Sequence, residues 1–324
     1  MPRWVRRALD TAAWLVLVPM LALSMTQWFG IEGRRTITAF QALTPWVLVW
    51  SAPLALVASL CRRHVLALVA LLPLATLLVL TQPVVFHAGA PAAAGATPRL
   101  TVAYANVLYN NPAPEAVADA LLATDADVLV MAEFVNPVQQ ALEARAGDDY
   151  PYRAEAVSRS SSAIGIWSRH PIVSGGVTRV GGRATIDVVL DVDGHEVRVL
   201  GVHPNPPTFD ADLWEQQLAA IGDHATVGEL PTVIVGDFNA ARWHPSFRAL
   251  LDRGWRDVHE TMGRGWSVSW PMDEGLLPPP FVRIDHALFG DGVAPIAIDD
   301  LAIPGSDHKG FVVTFGLTDA AVRA

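Results

Sequence analysis

Charge is scarce in this chain. Charged residues fill 17% of its 324 positions and apolar residues 52%, whereas an ordinary soluble domain is about a quarter charged. The deficit implies that part of the chain lives in lipid. Cysteine is nearly absent. Cys61 is the single thiol, which excludes an intrachain disulfide framework and a cysteine-built zinc site and leaves the redox compartment unread. Net positive charge is lacking as well. A net charge of −9 argues against tight nonspecific binding to a nucleic-acid backbone, which needs Lys and Arg to neutralise phosphates.

What the chain does have is long uncharged runs. One extends from Thr11 to Ile31, a second from Thr36 to Cys61, and a third from Val65 to about Phe86. A membrane span needs about 20 mostly apolar residues to cross about 30 Å of hydrocarbon, so transmembrane helices are expected at about 11–31, 36–60 and 65–86. Pro19, Pro45, Pro53 and Pro73 would kink them, which spans tolerate when neighbours satisfy the freed carbonyls. Trp14, Trp28, Trp46 and Trp50 include candidate interfacial anchors. Arg3, Arg6 and Arg7 before an apolar run also fit a cleaved signal peptide. The length of the run, the lack of a small-x-small cleavage site and the two later spans favour retention. The clusters Arg3/Arg6/Arg7 and Arg62/Arg63 should face the cytoplasm, although Arg34 and Arg35 lie on the other side. Three spans then put everything after Phe86 outside the cytoplasm, in a multi-pass protein of the cell membrane.

Residues 87–98, rich in Ala, Gly and Pro, read as a flexible linker. The soluble part runs over 99–324. Strands are expected at 100–108, 127–132, 163–168, 185–192, 196–202, 232–235, 282–289 and 312–315, and helices at 115–123, 137–145 and 209–227. Asp193-Gly194 marks a hairpin turn. Strands and helices without strict alternation imply packed sheets with helices outside.

Chemistry-bearing side chains fall at the ends of these apolar runs. Glu133 follows DVLVMA, Asp237 and Asn239 follow TVIVG, and His203 follows VRVLGV. Asn106 lies in TVAYANVL, Asp285 in VRIDHALF, and Asp307 with His308 precedes KGFVVTF. Each has an ordinary explanation taken singly: a surface carboxylate, an Asx-turn, a helix cap. Their joint recurrence at strand ends, where a strand fixes a residue and a loop opens it to substrate, does not. Oxygen ligands such as Glu133, Asp307 and Asn106 suit magnesium or manganese. Asp–His pairs suit proton transfer.

The ordered motifs NVL, E after DVLVMA, SRHPI, HPNPP, GDFNA, RIDH and SDHKG resemble the endonuclease/exonuclease/phosphatase superfamily, over about 99–318. The resemblance implies a DNase I-like α/β four-layer sandwich with two central sheets, and metal-dependent cleavage of phosphoesters in nucleic acids, phospholipids or sugar phosphates. The leading spans resemble a membrane-anchored branch. Carried onto this chain, it makes Glu133 the principal ligand of Mg2+ or Mn2+, with Asn106 beside it and Asp307 a further metal residue. Asp237 and Asn239 become the pair that orients water and contacts phosphate. His308 becomes the catalytic histidine with Asp285 orienting it, and His203 a second histidine on the phosphate or leaving group. Arg169 of SRHPI reads as structural.

The chain departs from the pattern at Ala132, where many relatives carry Gln, and at Leu108, where some nucleases carry an acid or amide. His203 has no evident carboxylate partner. Trp255, Trp266 and Trp270, with PMDEGLLPPPF, lie between GDFN and RIDH and would stack on a base, touch lipid or pack in the core. The reading is a membrane-anchored, extracytoplasmic phosphoesterase. The alternatives are a lipid or inositol-phosphate phosphatase or phospholipase C-like enzyme at the bilayer, and a binding or sensor domain that kept the fold. No protein partner is inferable.

Overall fold

The computed structural model describes residues 2–86, 89, 97–158, 160–228, 230–272 and 281–318. Most of the linker expected over 87–98, and 273–280 of PMDEGLLPPPF, lie outside the described residues.

The N-terminal part is helical: α1 (Arg3–Phe29), α2 (Arg35–Ala42), α3 (Thr44–Leu48), α4 (Ser51–Leu60) and α5 (His64–Val85). Helices α1 and α5 are each long and apolar enough to cross a membrane. The span expected over 36–60 is not one helix. Its first part, α2, meets the remainder, Thr44–Leu60, at a 71° bend. The cause is local. Pro45 offers no N–H to continue the helix and crowds the turn before it. The break is held by Thr44, whose Oγ1 donates to Gln41 O (2.7 Å) and accepts from Gln27 Nε2 (2.7 Å). Leu17, Ala55, Ala58, Leu66 and Ala70 pack α1, α4 and α5 together, with small residues letting the helices approach.

The rest is a sandwich of two six-stranded sheets. The first has order β11-β12-β1-β2-β4-β3, comprising β1 (Arg99–Asn106), β2 (Val128–Ala132), β3 (Tyr152–Ala156), β4 (Ile164–Ser168), β11 (Val293–Ala302) and β12 (Lys309–Leu317). The second has order β5-β6-β7-β8-β10-β9, comprising β5 (Ile172–Val180), β6 (Arg183–Val192), β7 (His195–Val202), β8 (Thr232–Asp237), β9 (Arg256–Asp257) and β10 (Asp285–Phe289). Strand alternation assigns each residue to a layer. Leu100, Val102 and Tyr104 of β1 meet Val233 and Val235 of β8 in the core between the sheets. Ala103 and Ala105 face outward onto α6 (Pro114–Leu122) and α7 (Asn136–Ala146). Leu200 and Ile234 face outward onto α8 (Ala211–His224) and α9 (Pro245–Leu251). Helix, sheet, sheet, helix make the four-layer DNase I-like arrangement. A short helix, α10 (Val258–Thr261), closes the list. The central strands carry continuous apolar runs because both their faces are buried.

Pairing direction decides where the strand ends gather. β1 runs parallel to β2, with Asn106 opposite Ala132. β7 runs parallel to β8, with Val202 opposite Gly236. β12 is antiparallel to β1 and β10 to β8, with Asp285 opposite Asp237. The C-terminal ends of β1, β2, β7 and β8 therefore share one rim with the N-terminal ends of β10 and β12. Gly236 of GDFN is needed for this closeness, because a Cβ there would lie 2.1 Å from Val202 O.

Candidate active site

That rim opens into a cavity of about 430 Å³ lined by Glu133, His203, Asp237, Asn239, Asp307 and His308, among others. Asn106 and Asp285 stand behind this lining and touch it. The eight residues singled out in the sequence are thus brought together.

Asp237 is central. Its Oδ2 accepts from Asn106 Nδ2 at 3.2 Å and lies 3.6 Å from His203 Nε2 and 3.8 Å from His308 Nε2. Its Oδ1 accepts from the Asn239 backbone N–H at 2.8 Å. Burial, and then the Asp285 charge, push the Asp237 carboxyl up to about 7. His308 Nδ1 pairs with Asp285 Oδ2 at 2.9 Å. Burial opposes charge on His308, but the Asp285 and Asp237 carboxylates outweigh it and push the imidazole up to about 10. Asp285 is also buried, yet the His308 charge holds it below the usual carboxylate range. His203 goes the other way. Burial, then the charges of Arg183 and His308, lower it to about 3, so it is neutral. The sequence showed no evident carboxylate partner for His203; in the structure its Nε2 lies 3.6 Å from Asp237 Oδ2 and 4.0 Å from Glu133 Oε1, while its buried Nδ1 has no hydrogen-bond partner among the described residues.

Glu133 sits just after β2 in the left-handed region, with φ 56°. Its Oε2 accepts from the Tyr109 N–H (2.9 Å) and its Oε1 from Asn106 Nδ2 (3.3 Å). Burial raises its carboxyl, against these bonds. Leu108 (φ 60°) and Asn239 (φ 49°) are left-handed too, so the rim concentrates backbone strain of the kind found at functional sites. Asn106 bridges Glu133 and Asp237 through Nδ2, while its Oδ1 accepts the Leu108 N–H at 3.1 Å. Ligating a cation through that oxygen would require the amide to flip. Asn239 donates Nδ2 to Pro204 O at 3.1 Å.

Several supporting groups were not legible in the sequence. Ser306 Oγ donates to Asn106 O (2.7 Å) and accepts the His308 N–H (3.1 Å), tying both to one turn. The signal available was its place two residues before a histidine, the spacing of a serine turn. Arg183 donates Nε to His203 O (3.0 Å) from β6, and no motif marks it. Trp270 donates Nε1 to Asp307 Oδ2 at 3.2 Å, so one of the three loop tryptophans does reach the site. Arg169 is structural as expected, paired with Asp125 at 2.7 Å over the Tyr150 ring.

The donor set fits a divalent cation. The Glu133 and Asp307 carboxylates face the cavity, and Asp307 Oδ1 is buried with no hydrogen-bond partner among the described residues. Asp237, Asp285 and His308 also lie close enough together to hold an ion. The hydrogen bond and the positive charge on His308 account for that trio without one.

A sequence profile of the Endonuclease/Exonuclease/phosphatase family matches residues 103–308. The chain belongs to the endonuclease/exonuclease/phosphatase family. Members of this family are hydrolases of phosphoester bonds and generally depend on a divalent metal. No curated protein sequence matches the chain. Solved structures share its fold. The endonuclease/exonuclease/phosphatase from Beutenbergia cavernae is 20% identical, with TM-score 0.56 over 68% of this chain and 72% of that one. TDP2 of D. rerio, complexed with a single-stranded DNA product, is 17% identical, with TM-score 0.59 over 67% and 99%. The family protein from Leptotrichia buccalis is 14% identical, with TM-score 0.54 over 67% and 100%.

Proposed function

We propose that this family member is a membrane-anchored, metal-dependent phosphoesterase that cleaves phosphodiester or phosphomonoester bonds with an activated water. The observation that carries the reading is the convergence of the charged His308–Asp285 pair with Asp237, Glu133 and Asp307 on one cavity.

Glu133 and Asp307, with Asn106, would hold Mg2+ or Mn2+. When bound, the cation supplies positive charge to the phosphoryl oxygens. The protein's own groups do the rest. Asp237 is buried and poised near neutrality, so its Oδ2 can take a proton from the attacking water. His308 keeps its Nε2 proton and presents positive charge to the phosphate, with Asp285 fixing the ring through Nδ1. His203 is neutral and contacts the phosphate or leaving-group oxygen. Asn239 positions Asp237 through its backbone N–H and lines the approach of water.

We further propose that the sandwich lies outside the cytoplasm. The charge pattern supports it, and so do contacts along the helices. Arg63 pairs with Asp10 (2.6 Å) at one end of the bundle. At the other end, Gln27 Oε1 accepts from Arg248 (2.8 Å), and Val84 packs on Ala241 and Trp243. Helices α1 and α5 then both point toward the sandwich, and Thr44–Leu60 runs back between them. Its 17 residues span about 25 Å at 1.5 Å per residue.

The test is hydrolysis of methyl 4-nitrophenyl phosphate by the full chain in nanodiscs with Mg2+ or Mn2+. EDTA should abolish it, and His308→Ala, which removes a charge presented to the phosphate, should lower kcat by about 10²–10³-fold. Turnover that survives both would sink the reading. The DNA product bound to the D. rerio protein makes single-stranded nucleic acid a second substrate reading, which the −9 net charge disfavours.

A further inference from the structure

The cavity lining is of two kinds. Glu133, Asp237, Asp307 and His308 supply its polar part; Ala39, Ala42 and Leu43, together with Phe281, Val282 and Ile284, supply an apolar part. Three of those six come from the N-terminal helical part, at the bend between α2 and α3, more than sixty positions before Asn106.

This wall is built in. His244 is buried at the cavity and donates Nε2–H to Thr38 O at 2.9 Å, its Nδ1 accepting the Ala241 N–H at 2.8 Å. Ser246 N–H donates to Glu32 Oε2 at 2.8 Å, just before α2 begins. Trp46 Nε1 donates to Phe281 O at 3.0 Å, just after it ends. Arg35 donates to Phe209 O. Helix α2 is thus fastened at its start, middle and end to the sandwich. Its other face, with Ile37 and Phe40, lines an apolar groove of about 290 Å³ with Pro19, Leu23 and Val47 of the spanning part. One helix therefore stands between the reaction site and the surface offered to lipid.

Resting on the phosphoesterase reading above, we propose that α2 and its bend form the substrate's tail-binding wall, and that the substrate is an amphiphile with its phosphoester at the polar rim and an alkyl or acyl chain along Ala39, Ala42 and Leu43. A nucleic acid or a sugar phosphate would leave this wall wetted. Burying a methylene contributes about 0.8 kcal/mol, or up to about 4-fold in binding per CH₂ seated. The polar rim alone gives no such dependence.

The test uses the full chain in phosphatidylcholine nanodiscs and a series of methyl, butyl and octyl 4-nitrophenyl phosphates. The ratio of kcat/KM for octyl over methyl should exceed about 20-fold in the native chain, and fall by about 10-fold in Ala42→Trp, which fills the wall. Ala39→Trp serves as the second variant. Partition into the disc and any misfolded fraction cancel when ratios are compared between proteins. An unchanged ratio in both variants overturns the proposal, as does a native chain indifferent to alkyl length. If no ester of the series is cleaved, the phosphoesterase reading has failed, and the wall is decided separately by photo-crosslinking. An octyl phosphonate with a terminal diazirine should label residues 35–43. Labelling confined to α1 and α5 overturns it.

Discussion

A proton is held at the floor of this cavity against the cost of burial. The Asp285 and Asp237 carboxylates keep His308 charged, and that charge in turn holds Asp285 ionised. Because the folded imidazole lies above its ordinary 6.5, the pair stabilises the fold fully below 6.5 and loses its contribution as pH rises through about 10. Replacing Asp285 with Asn removes the partner but keeps the shape. Activity should fall about 10²–10³-fold, because the positive charge presented to the phosphate is lost. The 15N shifts of His308 at pH 8 should report a neutral ring in Asp285→Asn and a charged one in the native protein. A still-charged ring in the variant would show that Asp285 is not what holds the proton. At this scale the sequence was informative because each site residue lies in or beside an apolar run that names its strand. Arg183 and Ser306 escaped because they act through backbone carbonyls and N–H groups, which no side-chain pattern records.

Among elements, the strands that were legible are interior ones. β1, β2, β4, β6, β7, β8, β10 and β12 carry apolar runs because both faces are covered. The strands not anticipated are β3, β5, β9 and β11, which are the four sheet edges. Edges need no continuous apolar run and tolerate what breaks one. β5 contains Gly175-Gly176 and is largely exposed, and β11 carries Pro295 at a bulge and the acidic pair Asp299-Asp300. The bend after α2 was also missed as such. Pro45 was counted as a tolerated kink, whereas the side chains of Thr44 and Gln27 and the carbonyl of Gln41 make it a fixed corner.

The attachment of α2 should depend on pH. Burial pushes the Glu32 carboxyl from 4.5 up to about 7, against its bonds from Ser246. The docked loop therefore holds a proton that the freed loop gives up. Docking is strongest below 4.5 and weakens as pH rises toward about 7, by up to roughly 3 kcal/mol at about 1.36 kcal/mol per unit. Amide exchange in 31–43, corrected for the intrinsic rate, should quicken between pH 5 and pH 8 in the native chain. Glu32→Gln should flatten the difference. A native chain whose exchange does not change with pH would contradict the assignment.

For the molecule as a whole, the positive-inside pattern and the run of Thr44–Leu60 back toward Arg63 predict one orientation. A periplasm-active reporter fused after Ala96 should be active, and a cytoplasm-only reporter at the same place silent. The opposite pair of results would reverse the topology. The fold class was legible because motif order and strand ends agree. The sharing of one cavity between the two halves of the chain was not, since nothing in 35–43 carries chemistry.

The bond from His244 to Thr38 means that this protein cannot be shortened without being changed. A fragment beginning at Arg99 would keep every residue of the polar rim. It would lose the lining residues Ala39, Ala42 and Leu43, bare a buried imidazole whose Nε2–H then needs water, and leave Trp243 without its Val84 contact. Kinetics measured on such a fragment would describe an open trough that accepts any phosphoester small enough to reach the rim. If α2 forms the tail-binding wall proposed above, the selectivity of the intact chain would be lent to the sandwich by its N-terminal helices.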